Sequence, residues 1–179
     1  MDDNFIFVND VGPRDGLQNQ TIDVSPETRV KLIEKLLDAG VPGVEVASFV
    51  SPKAVPRMAG AGDIVRALKG RKAALSALVP NLKGYEMARD AGAKIISVVP
   101  SATETMNQKN INMSYEDIIA LSCDLMRRAK DDGIKGQAYV SVAFECPFEG
   151  EVSQDRVMEM TETLLEAGAQ EIIIADTIG

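Results

Sequence analysis

Arg14 and Asp15 stand side by side in Asp10-Val11-Gly12-Pro13-Arg14-Asp15-Gly16, a turn that follows the first run of β-branched residues. Pro13 restricts the backbone there and Gly16 frees it. A cation beside an anion at the mouth of a strand can hold an oxyanion with one group and a metal ion with the other. The same pair on a surface turn is a local ion pair, and spacing alone leaves both readings open. Glu45 interrupts the apolar run Val44-Glu45-Val46-Ala47, and Asp176 closes Ile172-Ile173-Ile174-Ala175. A carboxylate in a strand covered on both faces is costly unless it points into a polar site or has a partner. With Asp15 these two would form an acidic ring suited to a hard divalent cation; otherwise they are simply polar strand ends. The chain has no His, which excludes a Ser-His-Asp triad, a Cys-His dyad or a His-based zinc site among these residues. Cys146, at another strand end with no base beside it, reads as a packed thiol. Lys53, Arg57, Lys83 and Lys109 fall in loops or helix starts that could face an anion, although most such side chains are only solvated.

Positioning these groups falls to two kinds of alternating segment. Apolar β-branched runs predict buried strands over Phe5–Val11, Val44–Phe49, Ala73–Val79, Ile95–Val99, Gln137–Phe144 and Glu171–Ala175. Amphipathic stretches lie between them. Ser25-Pro26 opens one, with Val30, Ile33, Leu36 and Leu37 at helical spacing. Asp63–Lys69 forms a shorter one. Asn81, Ser114 and Ser153 open three more, and Gly40, Gly70, Gly92, Gly133 and Gly168 end the set. Those glycines recur at about the 30-residue length of one βα unit. Strict β-α alternation means a parallel sheet, either doubly wound or closed as a (β/α)₈ barrel. A barrel takes about 250 residues and eight strands, whereas 179 residues here supply six strands. The reading is therefore one domain over 1–179, either a six-stranded open α/β fold or the N-terminal part of a barrel.

Composition narrows the functions. The formal net charge is −8, which argues against nucleic-acid binding. The longest apolar runs fall far short of the roughly 18 residues that span a bilayer. Met1-Asp2-Asp3-Asn4 lacks the basic start of a secretory or transit peptide, so no membrane partner and a cytoplasmic location are expected. Two cysteines cannot build a disulfide framework.

The segments themselves carry a resemblance. Val11-Gly12-Pro13-Arg14-Asp15-Gly16-Leu17-Gln18-Asn19, Val44 to Lys53, Val79-Pro80-Asn81-Leu82-Lys83-Gly84, Lys109 to Asn112, Cys146 to Gly150 and Asp176-Thr177-Ile178-Gly179 are similar, in order and spacing, to the 3-hydroxy-3-methylglutaryl-CoA lyases. The resemblance implies a (β/α)₈ barrel metallolyase using Mg²⁺ or Mn²⁺. It would cleave its acyl-CoA substrate to acetyl-CoA and acetoacetate, and would work as a homo-oligomer, a dimer, when full length. It implies that Asp15 is a metal ligand and that Arg14 stabilises the enolate oxygen. Glu45 and Asp176 would complete the polar site and steer proton transfer, while Gln18, Ser48 and Thr177 would contact substrate. The family's other metal ligands, a His-x-His pair and an Asn, follow the strand that ends in Asp176 and have no counterpart here. The resemblance thus covers the first six of eight βα units, and these residues alone are expected to show little or no activity, with the remaining ligands beyond Gly179. Two alternatives stand: a lyase for a bulkier 3-hydroxy-3-alkylglutaryl-CoA, or an inactive half-barrel that self-associates through the edges of its first and sixth strands.

Overall fold

The computed structural model describes residues 6–179. They divide after Ile95 into two compact units, each a βα series.

The first unit runs β1 (Asn9–Asp10), a five-residue π turn (Gly12–Gly16), α1 (Pro26–Asp38), β2 (Gly43–Ser48), a 3₁₀ turn (Pro56–Met58), α2 (Ala61–Ala67), β3 (Ala74–Leu78) and α3 (Leu82–Ala91). Strands β1, β2 and β3 lie side by side and parallel. The start signals work as their chemistry requires. Ser25 Oγ accepts the Thr28 amide at 3.3 Å with Pro26 in the first helical turn, and Asn81 Oδ1 accepts the Gly84 amide at 2.9 Å. Gly92 closes α3 in the left-handed region, at φ 93°.

Two features of this unit differ from the sequence expectation. The first strand is two residues rather than seven. Ile6, Phe7 and Val8 are exposed and Phe5 lies outside the described residues. In α1 the fully buried positions are Arg29 and Ile33 rather than a stripe beginning at Val30. The i, i+4 pair faces the core, and the pair happens to include a cation.

All six residues of β2 are buried, as a strand covered on both faces should be. Its pairing with β3 carries an irregularity. Gly43, Val44 and Glu45 sit beside Ala74, Leu75 and Ser76, and then Ala47 and Ser48 sit beside Ala77 and Leu78, leaving Val46 as one extra residue. This is a β-bulge.

The second unit holds β4 (Ile95–Val98), which begins at the division, then α4 (Glu104–Ile111), α5 (Tyr115–Asp131), β5 (Lys135–Val140), a hairpin of β6 (Glu145–Cys146) and β7 (Gly150–Glu151), α6 (Gln154–Glu166) and β8 (Glu171–Ile174). β5 lies between β4 and β8 and is parallel to β8. Helix α4 has no apolar stripe to announce it, since its one buried residue is Asn107. Hydrogen bonds organise it instead. The Asn107 amide side chain bonds the Ser101 amide (2.9 Å) and the carbonyls of Ser101 (2.9 Å) and Thr103 (3.0 Å). Glu149 accepts from the Thr105 amide at 2.6 Å at the helix start.

Strand β5 ends four residues before the expected Phe144. Val142 takes φ 51°, which a β-branched residue rarely adopts, and the chain turns there into the hairpin. That turn buries Cys146, whose sulfur accepts the Thr103 hydroxyl at 3.1 Å. It is a packed thiol, as its sequence context indicates.

β8 is only half-buried, with Ile174 45% exposed. It is tied to β5 by Glu171, whose carboxylate accepts from Lys135 Nζ at 2.6 Å and Gln137 Nε2 at 2.8 Å. The bond from Lys135 holds the Glu171 carboxyl below the usual carboxylate range. A carboxyl depressed in the folded state adds stability above its unfolded pKa of about 4.3, and loses it as pH falls through the folded value. Because this pair is largely solvated, Glu171→Gln is expected to cost under about 1 kcal/mol at pH 7. The gap should close in acid, as measured by urea unfolding at the two pH values.

Candidate functional site

The π turn after β1 is a wide one in which the amides of Arg14 (3.1 Å), Asp15 (2.7 Å) and Gly16 (3.5 Å) converge on the Val11 carbonyl. Pro13, buried, sets its entry, and the Asp10 carboxylate accepts the Gly12 amide at 2.8 Å. Asn19 Nδ2 donates to the Asp15 carbonyl at 3.1 Å and fastens the exit. Single π turns are rare and cluster at functional sites, because the extra residue re-aims side chains. Here it aims Arg14 at β2. The Arg14 Nε–H donates to Glu45 Oε1, while Nη1 pairs with Asp15 Oδ1 at 2.7 Å. Glu45 is 0% exposed, Arg14 12% and Asp15 52% by side chain. The three carboxyl and guanidinium groups thus form a gradient from a fully buried anion, through a nearly buried cation, to an exposed anion.

The bulge in β2 decides what accompanies Glu45. Glu45 lies beside Ser76 and Ser48 beside Leu78, and Ser76 and Leu78 are two apart on one face of β3. Glu45 and Ser48, three apart in sequence, therefore share that face. In a regular strand they would point to opposite sides. Ser48 is 1% exposed and its hydroxyl has no hydrogen-bond partner, and Ser76 on the same face is likewise buried with an unpaired hydroxyl. Unpaired buried hydroxyls next to a charged pair mark places where a ligand oxygen or water would bond.

Of the residues singled out by sequence, Arg14, Asp15 and Glu45 are brought into contact, and Ser48 joins their face through the bulge. Gln18 is half-buried on the loop after the π turn, and its carbonyl accepts from Arg57 Nη1 at 3.4 Å. Asp176 and Thr177 belong to the second unit, after β8. Asp176 Oδ1 accepts the Gly179 amide at 3.0 Å, and Thr177 Oγ1 accepts the Val142 amide at 2.8 Å, which helps hold the strained turn that follows β5. Of the cations expected in loops or helix starts, Arg57 stands in the 3₁₀ turn and faces Asp23 at 3.8 Å, whereas Lys109 lies in the last turn of α4, over the Phe148 ring and 4.8 Å from its centroid.

Asp15 offers a single carboxylate, one oxygen of which is already bonded to Arg14. Among the described residues no three His, Cys, Asp or Glu side chains come together to hold a metal ion. A catalytic divalent cation needs several oxygen or nitrogen ligands, so these residues do not make such a centre by themselves.

Sequence reading passed over Arg29. It is 0% exposed, and its guanidinium reaches the carbonyls of Arg57 (3.4 Å), Ala59 (3.3 Å) and Val46 (3.4 Å) and the Met58 sulfur (3.7 Å). No carboxylate pairs with it in any of these contacts, and burial pushes its pKa down. The clue was available: Arg29 precedes Ile33 by four residues, on the core-facing side of α1.

The chain matches the HMGL-like family over residues 5–179. It is 42% identical over 175 residues to the mitochondrial hydroxymethylglutaryl-CoA lyase of Rattus norvegicus, covering 97% of this chain and 54% of that protein. It is 40% identical over 185 residues to the (R)-citramalyl-CoA lyase of Chloroflexus aurantiacus, covering 97% of this chain and 58% of that protein. The solved structure of an HMG-CoA lyase from Acinetobacter baumannii, in complex with coenzyme A and 3-methylmalate, superimposes with a TM-score of 0.90 at 32% identity, over 96% of this chain and 56% of that one. The fold class is α/β, that of the (β/α)₈ barrel, with six parallel strands of it present in these residues. The chain spans little more than half the length of the relatives it matches.

Proposed function

Because the chain belongs to the HMGL-like family, we propose that it serves a carbon–carbon lyase that cleaves 3-hydroxy-3-methylglutaryl-CoA to acetyl-CoA and acetoacetate. The observation that carries this reading is the Arg14–Glu45 pair, presented by a π turn at the mouth of a parallel strand. The reaction needs the tertiary hydroxyl of the substrate to lose its proton. The bond between its carbon and the thioester's methylene then breaks, and the electron pair leaves on the acetyl-CoA enolate, which takes up a proton. Negative charge therefore develops on the thioester oxygen. A guanidinium fixed in place before the reaction stabilises that charge without reorganising. Glu45 fixes Arg14 through Nε and Asp15 holds Nη1, which leaves Nη2 to turn outward toward a substrate oxygen. The unpaired Ser48 hydroxyl, on the same face, is suited to donate to a substrate oxygen. Asp176 is assigned to the proton transfers and Gln18 and Thr177 to substrate contact, on the resemblance of their segments.

The same resemblance implies Mg²⁺ or Mn²⁺, with Asp15 as one ligand. The described residues do not supply the remaining ligands, which would come from protein outside this sequence. The 179 residues alone are accordingly expected to release no acetoacetate above the rate of free Mn²⁺. Turnover comparable to that of a complete lyase would contradict this division of the site.

The relation to a citramalyl-CoA lyase favours a second reading, in which the acyl group differs while the chemistry does not. Rates on 3-hydroxy-3-methylglutaryl-CoA, on citramalyl-CoA and on a 3-hydroxy-3-alkylglutaryl-CoA with a longer branch separate the two. At least tenfold preference for the first is expected, and preference for either of the others would reassign the substrate.

A further inference from the structure

We propose that Arg29 is a positioning residue for the lyase site, acting through the bulge in β2. The proposal rests on the reading of Glu45 and Ser48 as substrate-facing groups. A bulge leaves one residue out of the ladder, here Val46, and its peptide group must find another partner. The Val46 carbonyl accepts from Arg29 Nη2 at 3.4 Å, entirely within the buried layer. The same guanidinium bonds Arg57 and Ala59 through Nη1, on either side of Met58, so one side chain ties α1, the 3₁₀ turn and the bulge together.

The cost of this arrangement argues that the bulge matters. A buried cation bonded only to carbonyls and a sulfur is more expensive than an apolar residue of the same volume. Its Nε–H has no partner at all. If α1 needed only to be packed against the sheet, an aliphatic side chain at this position would do it better. What an aliphatic side chain cannot do is donate to the Val46 carbonyl. Without that donor the bulge competes with a regular ladder, in which Glu45 and Ser48 point to opposite faces and Glu45 no longer meets Arg14. Arg29 touches none of these reacting groups. It fixes the register in which they converge.

The test reads the Arg14–Glu45 bond directly in the 179-residue chain, independently of any turnover. The Arg14 Nε–H is nearly buried and bonded to a carboxylate, so it should give a resolved, slowly exchanging proton–nitrogen NMR signal, assigned by its loss in Arg14→Lys. In Arg29→Met that signal is expected to vanish or to exchange at least tenfold faster, while the circular dichroism spectrum and the dispersed amide spectrum are retained. Arg29→Lys, which keeps a donor for the Val46 carbonyl, should restore the signal in part and keeps the test decisive if Arg29→Met does not fold. An unchanged Arg14 signal in a folded Arg29→Met overturns the proposal and leaves Arg29 a packing residue, and loss of the signal in a folded Arg29→Lys overturns it as well, since the donor to the Val46 carbonyl is then still present. Failure of the lyase reading would show instead as absent cleavage in a complete protein whose Arg14 signal still depends on Arg29.

Discussion

Arg14→Met is expected to cost both stability and chemistry, and in a ratio that identifies what Arg14 does. Glu45 has no solvent exposure and Arg14 is its guanidinium partner. Removing one member of a buried pair leaves the other poorly compensated, which costs about 3 kcal/mol. The double change Arg14→Met/Glu45→Gln removes the charge along with its partner, so it should be more stable than Arg14→Met alone. Denaturant unfolding of the two single variants and the double variant measures that coupling; strictly additive losses would mean that the pair is not an energetic unit. Stability recovers in the double variant, but activity does not. Losing one preorganised donor to a developing oxyanion typically lowers kcat about 10²- to 10³-fold. A complete lyase carrying Arg14→Met, or the double change, should fall by at least that much.

The second large effect is expected at Gly84, the third residue of α3. Helix propensity alone favours replacing a helical glycine, by up to about 1 kcal/mol for alanine and less for valine. The surroundings reverse the sign. A Cβ at Gly84 would stand 2.8 Å from the Phe49 carbonyl oxygen and 2.9 Å from Pro80 Cδ. Both neighbours are backbone or ring atoms that cannot swing aside, and Phe49 directly follows Ser48. Gly84→Val adds branching to that clash and is expected to destabilise by about 3 kcal/mol, as overpacking of a tight site does. Gly84→Ala should cost less. A shift in Tm toward greater stability in either variant would show that α3 can move away from the end of β2.

This position shows what the sequence could and could not reveal. Val79-Pro80-Asn81-Leu82-Lys83-Gly84 is legible as a strand end, an N-cap and a helix start, and the Asn81 side chain caps the Gly84 amide as its type requires. The same short-range logic found Ser25 and Ser114 as caps and β2 as a strand buried on both faces. Helix α4 was missed because it is held by Asn107 side-chain bonds rather than by an apolar stripe, and periodicity does not see such bonds. The early end of β5 was missed because the largely apolar stretch Val140-Ser141-Val142-Ala143-Phe144 gives no warning of a residue at φ 51°.

At the site, residue types and strand-end position brought out Arg14, Asp15 and Glu45, although their contact depends on two irregularities that no pattern announces. One is the π turn that aims Arg14, and the other is the bulge that sets Glu45 and Ser48 on one face. Arg29 was overlooked for the opposite reason. A charged residue on a core-facing stripe reads as a phase error until the carbonyls it bonds are known.

The central claim is that these residues form the enolate-holding part of a lyase site, with Arg14 and Glu45 at its centre. The most direct measurement grafts residues 1–179 in place of the matching segment of a solved HMG-CoA lyase. It then follows acetoacetate and acetyl-CoA from 3-hydroxy-3-methylglutaryl-CoA with Mn²⁺. The chimera is expected to form both products in equal amounts, and its Arg14→Met form to fall at least 10²-fold in kcat. A folded chimera whose turnover survives Arg14→Met unchanged would contradict the account.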